Sequence, residues 1–243
     1  MRVVKYHIKK QDIDIQSDLF SGIYTILTHT IGPNLTLDEA LGGSFCYPVP
    51  DEVFIWSFMV KDKMVGFCYF TILTHEDLVI IRLTLSVERN YRHIVKMPYH
   101  DFLWEMIFIK LKNLSKKVVF YSNPINPIIY SVIREYTKNF LRYENNVPAQ
   151  TATINKIYDL FEIERYNRVR KTPFKMEETS LNFETLRHKN KYVNDFLNQN
   201  PDFKQGTGLI TMVPATVANM IYAVVKMAKK QFNPSKSKSK YKK

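Results

Sequence analysis

Hydrophobic and polar positions alternate along 3–8, with Val4, Tyr6 and Ile8 on one side, and this predicts a short opening strand. The spacing then changes to that of a helix over 17–30. Leu19, Phe20, Ile23, Tyr24 and Leu27 share a face, Ser17 stands at the N-cap and Asp18 favours the positive helix end. Gly32-Pro33 stops it, and a short capped helix over 36–43 is expected to end at Gly42-Gly43. Three runs dense in β-branched and aromatic residues follow, at 53–60, 64–74 and 78–87. The polar breaks Lys61-Asp62-Lys63 and His75-Glu76-Asp77 between them are short enough for an antiparallel meander. Residues 99–114 are apolar almost all round, which suits a helix buried on more than one side. A strand is expected over 117–122. A helix then starts at Pro127, with Ile129, Val132, Ile133, Tyr136 and Phe140 on one stripe.

The order is thus β-α-α-β-β-β-α-β-α over the first 145 residues or so. Beyond it the pattern gives a helix carrying Ile154, Ile157, Tyr158 and Phe161, a polar stretch, and a helix ending at Asn198-Gln199-Asn200-Pro201. No internal repeat is visible. The expected organisation is a core over 1–145, a C-terminal extension over 146–234 packed on or beside it, and a disordered lysine-rich tail over 235–243.

Residues 205–225 contain no charged side chain. Pro214 and four polar residues interrupt the run, so it parses as a strand-like piece over 209–213 and a helix from Pro214 rather than a membrane span. Val217, Met220, Ile221, Val224 and Ala228 form one stripe of that helix, and Asn219, Ala223, Lys226 and Lys230 lie opposite. Such a helix either packs its stripe on the domain or lies on an anionic membrane surface through residues 214–243.

Charge sharpens this picture. The net charge is +12, but residues 226–243 hold eight lysines and no acid, which leaves +4 for the rest. The basic excess belongs to the C-terminal end, so specific nucleic-acid recognition is not expected of the body. The apolar content of 45% excludes disorder of the whole chain, and the two cysteines, Cys46 and Cys68, exclude a disulfide scaffold. The N-terminus shows no targeting signal, and a cytoplasmic protein, peripheral to the membrane at most, is expected. Zinc-ligand spacing, a phosphate loop and a nucleophile elbow are all absent, and no metal site is expected.

The element order, together with Val87…Tyr91-Arg92 at the end of a strand, resembles the GNAT superfamily of N-acetyltransferases. The resemblance implies an α/β fold: a mixed, mostly antiparallel central sheet flanked by helices, here with a helical C-terminal extension. It implies acyl-coenzyme A, acetyl-CoA in the first instance, as a substrate. Leu85, Ser86 and Val87 would orient the acyl arm, and Arg92, His93, Ile94, Val95, Lys96 and Met97 would bind pyrophosphate through their backbone. In the family this turn is rich in glycine; here His93 to Met97 supply none. The stretch after the next strand, Asn123-Pro-Ile-Asn-Pro-Ile-Ile-Tyr130, has about the family spacing of an asparagine that contacts the coenzyme and a tyrosine that protonates the departing thiolate. The acceptor implied is an amine-bearing small molecule or protein. Asp51, Glu52 and the His75-Glu76-Asp77 turn could each furnish a base, and the sequence does not choose among them. The missing glycines also fit a non-enzymatic interaction module on the same fold, and the basic C-terminal helix fits a membrane-surface protein.

Overall fold

A computed structural model describes residues 1–32, 34–95, 99–174 and 182–232. Six strands form one sheet in the order β1-β2-β3-β4-β5-β8: β1 Arg2–Lys9, β2 Glu52–Val60, β3 Lys63–His75, β4 Leu78–Val87, β5 Lys117–Ser122 and β8 Thr211–Pro214. Every neighbouring pair is antiparallel except β4 with β5. The meander therefore forms as the pattern predicts. Its first turn is a two-residue connection with Lys61 and Asp62 both at positive φ, 47° and 61°, the twist that joins antiparallel strands without splaying them. A two-stranded ribbon, β6 Val169–Lys171 with β7 Thr207–Leu209, lies apart from the main sheet.

Helices cover both faces. Helix α1, Asp18–Thr30, buries Phe20, Ile23, Ile26 and Leu27 against Val53, Ile55, Phe67 and Tyr69. Helix α5, Pro148–Leu160, covers Leu78, Ile80, Val119 and Tyr121 on the same face with Ile154, Ile157 and Tyr158, and Phe161 just beyond it joins that cluster. On the opposite face Met106 and Ile109 of α3, Tyr99–Lys112, pack on Trp56, Cys68, Phe70, Val79, Ile81 and Val118. A fourth cluster joins Tyr130 of α4, Pro127–Tyr136, to Phe183 of α6, Phe183–Lys189, and to Val193, Phe196 and Leu197 of α7, Lys191–Gln199. The last helix is α8, Val217–Phe232.

Three expectations are corrected, and of the two placements open for α8 one is ruled out. Gly42 and Gly43 do not stop a helix: a π turn over Asp38–Gly42 runs straight into the short helix α2, Gly43–Phe45. Helix α3 is not buried on several sides, since Trp104 (59% exposed), Phe108 and Leu111 face solvent. On α4 the buried side is Pro127, Tyr130 and Ser131, Ile129 is exposed, and the helix ends before Phe140. On α8 the apolar stripe does not pack on the domain. Val217, Ile221 (59% exposed), Val224 and Val225 point outward, while Asn219 is buried. The reason is a clamp. The Asn219 side chain accepts from the backbone N–H groups of Lys138 and Asn139 and donates to the carbonyls of Asn139 and Pro214, at 2.8–3.1 Å. These four bonds outweigh the apolar stripe and turn the polar side of the helix inward.

Candidate functional site

Strands β4 and β5 run in register from Leu78↔Lys117 to Arg82↔Tyr121 and then part. β4 continues to Val87 paired to β3 alone, so among the described residues its edge over 83–87 has no strand on the β5 side. The sequence causes the fork. Ser122 keeps its pairing with Thr211 of β8 on the far edge only, and Asn123-Pro124-Ile125-Asn126-Pro127 follows, where prolines lack the N–H a ladder needs. Leu209 N–H bonds the Pro124 carbonyl at 3.1 Å, which draws β7 against the departing chain. Gly208 permits that approach, because a Cβ there would stand 2.6 Å from the Asn123 carbonyl oxygen. Side chains of β4 alternate across the fork. Leu83, Leu85 and Val87 belong to the cluster under α3, and Ser86, on the other face, shares a 2.6 Å hydrogen bond with Thr30.

The turn after β4 holds the residues expected to bind pyrophosphate. A 3-10 turn over Arg89–Tyr91 leads on, and the N–H groups of Ile94 and Val95 both bond the Tyr91 carbonyl at 3.0 Å. The Arg92 N–H bonds the Arg89 carbonyl, and its Nε donates to the Val87 carbonyl at 3.0 Å. His93 and Ile94 are exposed, and Val95 packs partly on the α3 cluster. Lys96 and Met97 lie outside the described residues. The backbone donors of 94 and 95 are thus committed to Tyr91, as the lack of glycine leads one to expect: the chain coils into an ordinary helical turn rather than a flat cradle.

Tyr130 is 2% exposed, and its hydroxyl donates to Asp195 Oδ2 at 2.6 Å. Asp195 Oδ1 accepts from Gln199 Nε2 at 2.6 Å, and Arg134 Nε lies 3.9 Å from Oδ2. Burial first, then the Asp195 hydrogen bond and charge, push the phenol well above its ordinary 10.0. Tyr130 sits in the cluster of α7, whereas Asn123 sits at the fork. Asn123 Nδ2 donates to the Tyr121 hydroxyl at 2.9 Å, and its Oδ1 is buried without a partner among the described residues. The three acid-bearing places considered as bases are all engaged. Asp51 accepts from the Thr74 N–H at 2.7 Å, and Glu52 meets His7 at 2.6 Å. Glu76 and Asp77 are bridged by Lys156, whose bonds hold both carboxyls below their usual range.

Sequence reasoning missed Arg82, the last paired residue before the fork. It is a lone charge in a strand of apolar residues, partly buried, with its guanidinium 5.1 Å over the Phe161 ring. The signal was present in the alternation: Ile80, Arg82, Thr84 and Ser86 share one face and Ile81, Leu83, Leu85 and Val87 the other, so the first face turns polar partway along. Elsewhere, a cavity of about 430 Å³ is lined by Tyr143, Tyr158, Tyr166, Arg168 and residues 209–212, and it does not include the fork. Among the described residues no three His, Cys, Asp or Glu side chains gather to hold a metal ion. Among them also, no helix is long and apolar enough to cross a membrane.

No protein-family model matches the chain, and no curated protein does. A solved structure similar to it is that of the PaiA N-acetyltransferase from Thermoplasma acidophilum in complex with coenzyme A. The two share 12% identity over 58% of this chain and 91% of that one, with a TM-score of 0.33. At that score the superposition assigns no residue to a counterpart. The fold description here stands on the chain's own topology.

Proposed function

We propose that the chain is an acyl-coenzyme A-dependent N-acyltransferase of the GNAT kind, moving an acyl group, acetyl in the first instance, to an amine. The observation that carries this reading is the fork: an extended acyl arm needs a strand edge not paired to another strand, and β4 over residues 83–87 is unpaired on the β5 side among the described residues, with the Val87 carbonyl taken by Arg92. The backbone of Leu85, Ser86 and Val87 would hold the arm. Arg92, His93, Ile94, Val95, Lys96 and Met97 would meet the pyrophosphate, with the Arg92 and Lys96 side chains supplying charge where glycine is missing. Asn123 closes the opposite wall. In the reaction the amine nitrogen forms a bond to the acyl carbon as the carbon–sulfur bond breaks. The amine's proton leaves to a base and the sulfur takes one from Tyr130. Burial, then the Asp195 hydrogen bond and charge, raise its pKa and make it a weaker acid in this arrangement, so the Tyr130 hydroxyl must turn from Asp195 to donate.

Calorimetry with acetyl-CoA tests the reading: saturable binding is expected, and no binding at millimolar ligand to a folded sample would overturn it. Tyr130→Phe separates chemistry from packing. If Tyr130 donates the proton, turnover falls about 100-fold with acyl-CoA affinity unchanged; an unchanged turnover removes the residue from the mechanism.

A second reading is favoured by α8. Its outward stripe of Val217, Ile221, Val224 and Val225 leads into the lysine-rich end, which is the chemistry of an anionic membrane surface. Co-sedimentation with phosphatidylserine vesicles is then expected for the full chain and lost for Ile221→Asp. Equal pelleting of both proteins would exclude it.

A further inference from the structure

The sheet carries its least ordinary charge at the foot of the fork. Thr71 of β3, Arg82 of β4, Tyr121 of β5 and Met212 of β8 are register partners in turn, so they form one rung and share a face. That face passes from apolar to polar at this rung: Tyr69 belongs to the α1 cluster and Tyr121 and Phe161 to the α5 cluster, while Thr84 and Ser86 follow along β4. Arg82 lies where the two clusters meet. Five arginines pair with acids: Arg2 with Asp62, Arg134 with Asp195, Arg165 with Asp159, Arg168 with Glu144 and Arg187 with Glu184. Arg82 is not among them. Among the described residues no carboxylate stands within 4.0 Å of its guanidinium, which lies over the Phe161 ring and also interacts with the Tyr121 and Tyr69 hydroxyls.

A second cation is brought to the same place. Arg170 of β6 pairs with Gly208 of β7, and Gly208 is pressed against Asn123, two residues beyond Tyr121. Arg170 likewise has no acid partner among the described residues. Burial holds the Arg82 guanidinium below its usual range; Tyr121 and Tyr69 act against that, and Arg170 adds a smaller lowering effect, so the two cations feel one another. The Tyr121 hydroxyl accepts from Asn123 Nδ2, which leaves its own proton to donate.

Two guanidiniums without a counter-charge in a partly desolvated place are costly to the fold. A planar fork of N–H donors is also the side chain best suited to a carboxylate or phosphate. Among the described residues neither guanidinium has an anionic partner, and β4 and β5 part just beyond this rung.

We propose that Arg82 and Arg170, with the Tyr121 hydroxyl, form a receptor for an oxyanion, the carboxylate or phosphate of a small ligand bound at the fork. Where the acyl-transfer reading holds, on which this extension rests, the acceptor is an amine that also bears such a group.

The test needs no acyl-coenzyme A, so its outcome is independent of whether the chain binds one. Thermal unfolding of the full chain is followed with inorganic phosphate, with acetate and with chloride at matched ionic strength. The midpoint is expected to rise with phosphate or acetate beyond the chloride control, and which of the two acts more strongly tells phosphate from carboxylate. In Arg82→Met and in Arg170→Met the apparent affinity is expected to fall about tenfold or more, the loss of a charge-assisted pair of bonds. Without anion, Arg82→Met is expected to unfold no lower than the parent, because a cation without a partner is removed. An Arg82→Met chain that is less stable than the parent yet responds equally to phosphate would overturn the proposal. So would a parent chain that treats all three salts alike. The guanidinium NMR signals of Arg82 in the unaltered protein give the same answer without a variant: they shift on phosphate or acetate addition, or the site does not exist.

Discussion

Asn219 shows what one side chain can decide. It is 5% exposed and satisfies two N–H groups and two carbonyls on neighbouring segments. Asn219→Ala leaves those groups unpaired and is expected to cost about 2–4 kcal/mol, read from the denaturant midpoint. Cys68 makes a different prediction. It is buried and carries no partner charge, and burial raises its thiol from an ordinary 9.0 to about 12. The folded state then keeps a proton that the unfolded chain releases. Stability is flat below pH 9 and falls by about 1.4 kcal/mol per pH unit between 9 and 12 on account of this group. Cys68→Ala is expected to flatten that part of the alkaline unfolding profile, measured against the parent from pH 8 upward. At this scale the sequence was a poor guide: Asn219 reads as the polar side of an amphipathic helix, and Arg82 as one charge in an apolar run. Neither residue type announces what the fold places opposite it.

Elements were legible where their pattern is local. The meander, the strand after α3, the Pro127 helix start and the helix carrying Ile154, Ile157 and Tyr158 all follow from strand alternation, turn residues and helical spacing. The exposed faces of α3 and α8 were not, because periodicity tells which residues share a side and not which side meets the sheet. The fork was legible only in part. Its prolines are plain in the sequence, but its geometry depends on β7, more than 80 residues away, lying against Asn123. Gly208→Ala tests that dependence. The added carbon would meet backbone atoms 2.6 Å and 3.0 Å away, which cannot rotate aside. A loss of about 1–3 kcal/mol is expected by thermal or chemical unfolding, with a weaker anion response if β6 is displaced along with β7.

The whole molecule is bound together by the last strand. β8 comes from residues 211–214 and completes the sheet beside β5, and Met212 sits in the same cluster as Ile80 and Tyr121. A fragment ending at residue 145 would lack β8, α5 and the α7 wall around Tyr130. It is expected to show no cooperative unfolding transition by circular dichroism, whereas removal of 233–243 alone leaves the transition in place.

The rims of the sheet differ from its middle in one respect that matters for what can add to it. β1 closes one side with Arg2, Lys5, His7 and Lys9 along an exposed ribbon, and β8 closes the other with four residues ending in proline. Charge on one rim, and brevity with a missing donor on the other, discourage a foreign strand from extending the sheet outward. The opening at residues 83–87 is guarded at its Val87 end alone, where Arg92 bonds the carbonyl. The least defended strand edge thus lies inside the molecule, away from the rims where one copy could stack on the next.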